Sequence, residues 1–574
     1  MSQIRRQPTR SFFARLQERL KDKARKAVCA SRFYEFRLKG KHPLRLRDTP
    51  KDPWAGSVAA GSHILSGGFY CQGRILKNPR RENGQWQAGE IWQTKDLNPI
   101  WQQHLHAFCW LRDLARVVDR TAARTKAITL TRNWLQSFDR WHDQAWAPDI
   151  TGQRIINWMV HAALILDSDD LVYRSKLLNS LARQARHLYH AGDDHLRGLP
   201  RLQALSGLIM AGLYLPGGDD WLKRGTDLLT AALGQEILAD GGIASRNPQD
   251  LYRALRILLM VRASYGAMGH AVPKKLDDVV RHMIPMLKSL QHGDGCLALF
   301  NGSSEQNASD LAAIFAFAVD CKNLAPVSKD GKSGFRRRHQ GNTVVIMDAG
   351  PPPEREVSQQ GHAGTLSFEM SDGAQRIIVN CGAASSLTPM AEGNLYKLSR
   401  STAAHSTVIL NDKNSSEIRK DGLIGRGPVM VSCARTSEQG HSLLTASHDG
   451  YLSRFGIIHH RTIYMNDLGD DLRGEDILES LNLGSRPPDF DVRFHIHPHI
   501  SLTRQGAGDR VLLRLPGSEY WQFQCAGGVL AVEESLYLGD GLRLQNARQI
   551  VVSGTAGHKK TVIKWSLRRI EHNN

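Results

Sequence analysis

Three histidines crowd one short stretch: His495 and His497 stand two residues apart in the run Arg493 to Pro498, and His499 follows the proline. Alternate residues of an extended strand point to the same side, so the first two have the spacing of a chelating pair for a divalent cation such as zinc. Arg246 and Arg400 carry planar guanidinium groups of the kind that grip a carboxylate through paired hydrogen bonds. Trp158, beside Asn157, offers an indole face that stacks on a sugar ring, or else fills a helical core among Ile155, Ile156 and Met159. Asp193, Asp194 and Asp240 would supply the two carboxylates of a glycoside hydrolase, although acids beside glycines at helix breaks are ordinary caps. Neither a glycine-rich phosphate loop nor a Gly-x-Ser-x-Gly elbow occurs, which leaves nucleotide chemistry and serine hydrolysis without support.

These residues are positioned by a chain of 574 residues, longer than the roughly 250–300 at which one hydrophobic core stops growing, so two or more domains are expected. From about Trp101 to Asn323 apolar residues recur at helical spacing, as in Leu105, Phe108, Leu111 and Ala115. Breaks at Gly192-Asp193-Asp194, Pro216-Gly217-Gly218 and Asp240-Gly241-Gly242 cut the pattern into helical hairpins, which in series either close into a toroid or run on as an open solenoid. The basic stretch Ser328 to Gly341 reads as a linker. Beyond it come short runs rich in Val, Ile and aromatics, among them Thr343 to Met347, Leu366 to Met370, Val492 to His497 and Val562 to Leu567, with turn residues between. Many short strands without helices predict an antiparallel sandwich, so the chain is multidomain, helices first and sheets second.

Lys and Arg outnumber Asp and Glu by 75 to 56, a formal charge of +19 that favours an anionic partner. Twelve of those basic residues, against three acids, lie between Met1 and Gly40. There Phe13, Leu16, Leu20, Ala24 and Ala27 share a helical face, giving a basic amphipathic helix that either packs on the next domain or makes peripheral contact with a membrane surface. The remaining excess is spread thinly and forms no basic stripe interleaved with aromatics, so no nucleic-acid partner is expected. Eight dispersed cysteines without Cys-x-x-Cys pairs point to reduced, buried thiols. The basic N-terminus lacks the apolar core of a secretory signal, which predicts a soluble protein on the cytoplasmic side.

Several strings carry a resemblance: GHAGTLSFE at Gly361 to Glu369, SRSTAAHSTVILNDKNSSE at Ser399 to Glu417 and YLSRFGIIHHRTIYM at Tyr451 to Met465. With TGQRIINW from Thr151, ADGGIASRNP from Ala239 and RFHIHP from Arg493, all in the same order, the chain resembles the heparinase II/III-like family of polysaccharide lyases over about Pro43 to Ile570. That resemblance implies an N-terminal, incomplete α/α toroid followed by an antiparallel β-sandwich. The organisation it suggests is a basic amphipathic segment over 1–50, a toroid over 51–327, a linker over 328–341 and a sandwich over 342–574. It also implies an acidic, uronic-acid-containing polysaccharide as partner, β-elimination as reaction, and the cell envelope or periplasm as a possible setting.

β-Elimination needs a group to neutralise the uronate carboxylate, a base for the C5 proton and an acid for the leaving oxygen. Carried over from the family, these roles fall to His362, His405, Tyr252 and His195, with Asn157, Trp158, Arg246 and Arg400 as substrate-binding candidates. Three departures stand out. Asp194-His195 replaces a usual Asn-His, Gly364 replaces an Asp after His362-Ala363, and Asn380-Cys381-Gly382 replaces the Asp-x-Gly that supplies a zinc ligand alongside two histidines in some relatives. They favour a second reading, a catalytically degenerate glycan-binding or envelope-assembly protein of the same fold.

Overall fold

The computed structural model describes all residues except 1, 6–11, 72–73, 79–80, 88, 95–96, 192–195, 319–330, 385–393, 439–440, 482–485, 507, 518, 542 and 571–574, and omits the side chains of 2, 4, 5, 12–19, 394, 437 and 438. It forms two compact units. One takes Arg10–Glu236 and Arg253–Val280, the other Met1–Thr9, Ile237–Tyr252 and Arg281–Asn574.

The first unit is helical, as the periodicity predicts. Its longer helices are Phe12–Cys29, Arg120–Phe138, Pro148–Val160, Leu171–Ala191, Leu199–Tyr214 and Asp219–Glu236. Helices Pro148–Val160 and Leu199–Tyr214 meet at two glycines: a Cβ on Gly207 would stand 2.3 Å from the Cα of Gly152, an approach no side chain permits. Trp110, Trp134, Trp146 and Trp158 are fully buried, with Trp134 and Trp158 edge to face at 5.4 Å. Beneath them the buried Arg154 donates to the carbonyls of His106 and Ala145 and to Gln184, and desolvation lowers its pKa to about 9.

The second unit holds two antiparallel sheets. Across the nine-stranded sheet run Ser2–Arg5, Met430–Glu438, His441–His448, Ile457–Met465, Asp471–Ser480, Lys560–Ile570, Tyr520–Ala526, Arg510–Arg514 and Ser501–Gln505. The eight-stranded sheet orders Val529–Tyr537, Gln545–Thr555, Asp489–Ile496, Gln375–Val379, Phe368–Asp372, Thr343–Asp348 and Phe335–Gln340, with Val408–Leu410 also paired to Asp489–Ile496. Strands such as Ile457–Met465 bury every second residue, so the inner faces of both sheets feed one core, in which Phe368 stacks on Trp565 at 5.4 Å.

Three features differ from the sequence reading. Ser2–Arg5, inside the basic amphipathic segment and ahead of its helical face, pairs with Met430–Glu438 as an edge strand. Phe335–Gln340, inside the stretch read as a linker, is the edge strand beside Thr343–Asp348; its three consecutive arginines mask the strand pattern. Ile237–Tyr252 and the chain from Arg281, read as part of the helical domain, belong to the sheet unit because polar side chains tie them there. Asp240 accepts from the Ser333 amide (2.8 Å) and hydroxyl (2.7 Å), and Arg246 makes a buried ion pair with Asp348.

Candidate functional site

His362 lies on the loop between strands Thr343–Asp348 and Phe368–Asp372, and His405 follows the short turn Thr402–Ala404. Both are buried, at 4% and 1% exposure, and the two rings meet through a hydrogen bond of 3.0 Å between Nδ1 of His362 and Nε2 of His405. Their tautomers follow from the partners. The Ser401 carbonyl 2.7 Å from Nδ1 of His405 only accepts, so that nitrogen carries the proton and Nε2 is the acceptor. His362 must then donate from Nδ1, which leaves its own Nε2 with a lone pair and no partner among the described residues. Burial holds both rings neutral: His405 is pushed down to about 4, and His362 falls well below the usual histidine range, with the neighbouring His405 and Arg400 adding to the effect.

The sequence folds this way because neighbouring residues are matched to the pair. A Cβ on Gly364 would stand 2.6 Å from Cδ2 of His405, so the imidazole occupies the volume that any side chain at this position would need. Asn301 Oδ1 accepts from the His362 amide at 3.1 Å. Arg400 donates twice to the Gly361 carbonyl (2.9 and 2.7 Å) and once to that of Ser358 (3.3 Å), bracing the loop that bears His362. The buried amide of Asn380 donates to Glu369 and accepts from the Ser406 amide, both at 3.0 Å. An aspartate there would face the Glu369 carboxylate with no proton to give.

Around His362 the same unit gathers a rim of carboxamides. Asn247 donates to Gln360 Oε1 (2.9 Å), Gln249 donates to Ser304 (2.7 Å), and the Gln360 amide nitrogen has no partner among the described residues. Four residues of this neighbourhood, Arg246, Asn301, Gln306 and Leu366, adopt positive φ between 49° and 63°. Only asparagine tolerates that region readily, so three of the four hold backbone strain in one loop cluster. Sequence reasoning missed Asn301, Gln360 and Ser401, because their roles rest on backbone contacts and on segments that only folding brings together.

The other candidates stand elsewhere. His195 and Asp194 lie outside the described residues. Tyr252 is buried at 3% exposure in helix Pro248–Ala267. Trp158 is walled in by Trp134 and Phe108, and Asn157 donates to the Ala107 carbonyl at 2.8 Å, so both are packing residues of the helical core rather than faces for a sugar. Arg246 is committed to Asp348 and to the carbonyls of Ser333 and Pro351, and Arg400 to its loop carbonyls, so neither guanidinium is open to a substrate carboxylate.

Zinc does not fit the donor set. His362 and His405 bond to each other, Asn380 is engaged with Glu369 and Ser406, and His495 is held between the Ala403 carbonyl (2.9 Å) and Ser535 (2.7 Å). His497 turns its ring to His499 and Tyr537 instead. Among the described residues no group of three or more His, Cys, Asp or Glu is placed to hold a metal.

A helical unit followed by a sandwich of antiparallel sheets, with a histidine pair joined from two of its loops, is the architecture of a polysaccharide-lyase-like protein. The chain belongs to the heparinase II/III-like family: residues 77–321 match the heparinase II/III N-terminus, and residues 323–566 the heparinase II/III-like C-terminal domain. It is 28% identical over 546 residues to FtsZ-localized protein C of Caulobacter vibrioides, covering 92% of this chain and 91% of that protein. Its fold is similar to the crystal structure of heparinase III (TM-score 0.72, 12% identity, 93% of this chain and 88% of that one). A mutant of the heparan sulfate lyase HepC from Pedobacter heparinus is also similar (TM-score 0.65, 16% identity, 90% and 83%). The α/α toroid followed by an antiparallel β-sandwich is therefore the fold class.

Proposed function

We propose that this protein cleaves a uronic-acid-containing polysaccharide by β-elimination at the loop cluster around His362. The observation that carries the reading is the hydrogen-bonded sequence Ser401 carbonyl, His405, His362, which fixes the outer imidazole as a neutral acceptor at Nε2. In this mechanism His362 removes the C5 proton, and His405 holds its tautomer and stabilises the imidazolium that forms. With Arg246 and Arg400 engaged, the carboxylate is neutralised by hydrogen bonds from carboxamides, for which the Gln360 amide is open. The imidazolium of His362, or a water beside it, returns the proton to the leaving oxygen. A panel of acidic polysaccharides assayed by ultraviolet absorbance for unsaturated uronyl product, with wild type, His362→Gln and His405→Ala, tests this. Product from wild type alone supports the reading, and none from any substrate removes it.

A second reading is favoured by the commitment of both arginines: a glycan-binding or envelope-assembly protein that kept the fold without turnover. The relative FtsZ-localized protein C carries a name that records a location rather than a reaction, which supports this reading. Under this reading glycan binds without product and His405→Ala leaves binding intact. In either case the basic N-terminal segment would make peripheral contact with anionic lipid, and among the described residues no helix is long and apolar enough to cross a membrane.

A further inference from the structure

We propose that the edge of the β-sandwich holds a binding site for a small tetrahedral oxyanion, phosphate or sulfate, built on Arg338. Strand Phe335–Gln340 closes the eight-stranded sheet, and its Arg336 and Arg338 lie opposite Met347 and Val345 of the neighbouring strand. Both of those partners belong to the core between the sheets, and residues directly opposite one another share a face, so the two arginines point inward.

Arg338 is buried at 8% exposure. Its Nη1 donates to the Arg337 carbonyl at 2.6 Å, while Nε and Nη2 are buried without a partner. Those two nitrogens form one edge of the guanidinium, the fork that binds two oxygens of an oxyanion side by side. Among the described residues no salt bridge reaches it, whereas the buried Arg246, Arg376 and Arg461 each pair with a carboxylate.

The surroundings are cationic as well. Across the sandwich, Val431 and Cys433 of strand Met430–Glu438 point into the core, and Arg435, two residues further on, shares their side at the exposed end. Burial, with the charges of Arg435 and Arg336 acting in the same direction, depresses the pKa of Arg338 to about 10. Arg336 is itself engaged with the carbonyls of Gly331 (3.1 Å) and Phe335 (3.0 Å). An inward guanidinium with a free fork, flanked by two more cations, is a site completed by a compact anion of high charge. Its burial excludes anything larger than an ion or the end of a monoester.

Thermal melting of the full chain titrated with sodium phosphate and sodium sulfate, against sodium chloride at matched ionic strength and sodium acetate, tests the site. We expect a saturable rise of roughly 2 °C or more with phosphate or sulfate beyond chloride. It should be lost in Arg338→Met and weakened in Arg435→Gln. Arg338→Met should also melt higher than wild type in chloride, because it removes an uncompensated buried charge. A wild-type titration indistinguishable from chloride, an equal response to acetate, or a rise that persists in Arg338→Met overturns the proposal. Should Arg338→Met not fold, Arg435→Gln and the wild-type anion series still decide it.

Discussion

The ring of His405 packs against Gly364, so closely that a Cβ there would stand 2.6 Å from its Cδ2. The absence of a side chain at Gly364 is thus what admits the imidazole to its partner. Gly364→Ala should displace His405 and break its bond to His362, with overpacking costing about 1–3 kcal/mol. Denaturant unfolding reads the stability loss. Histidine NMR should show the His362 Nδ1 proton losing its acceptor, and an unchanged spectrum would refute the packing argument.

His362→Gln keeps a polar side chain of similar size and removes the base. If elimination runs through Nε2, the rate on a responsive polysaccharide should fall about 10²–10⁴-fold with little change in melting temperature. Because burial holds the ring neutral well below pH 6.5, wild-type turnover should show no histidine limb between pH 6 and 8. A rate that rises steeply across that window would place the base elsewhere.

Arg246→Ala separates anchoring from substrate binding. Removing one member of the buried pair leaves Asp348 uncompensated, and breaking such a pair costs about 3–5 kcal/mol. Chemical denaturation should register that loss without any glycan present. An equally stable variant with weakened glycan affinity would restore Arg246 to the substrate.

Acid should unfold the protein early. His106 and His495 are pushed down to about 3, and His161, His187 and His405 to about 4, chiefly by burial. A depressed folded pKa means the unfolded chain binds protons first. The stability these groups contribute is therefore complete above the unfolded value of about 6.5 and is lost as pH falls toward 4. Melting temperature should be flat from pH 8 to 7 and fall steeply below 6, and a flat profile to pH 4.5 would contradict the burial of these rings.

Phe33 and Phe36, 73% and 69% exposed on the helix Arg32–Arg37 and set among Arg32, Arg37 and Lys39, should carry the proposed membrane contact. Co-sedimentation with vesicles containing anionic lipid should drop several-fold in Phe33→Ser/Phe36→Ser, and in high salt for wild type. Equal pelleting of both proteins would exclude these rings.

The sequence by itself determined most of the stretches that became helices and strands. Apolar spacing marks Leu171–Ala191 and Leu199–Tyr214 as helical and Thr343–Asp348 as a buried strand, because burying one face sets a period that residue types reveal directly. It also singled out His362 and His405 through the strings around them. What it left open depended on contacts between distant segments. Trp158 became core because Trp134 and Phe108 closed over it, Arg246 became an anchor because Asp348 lies 102 residues away in sequence yet within ion-pair reach, and Phe335–Gln340 became a strand because Thr343–Asp348 offered it an edge. Which nitrogen of a histidine keeps its proton is likewise fixed by the carbonyl opposite, and only the folded chain brings the two together.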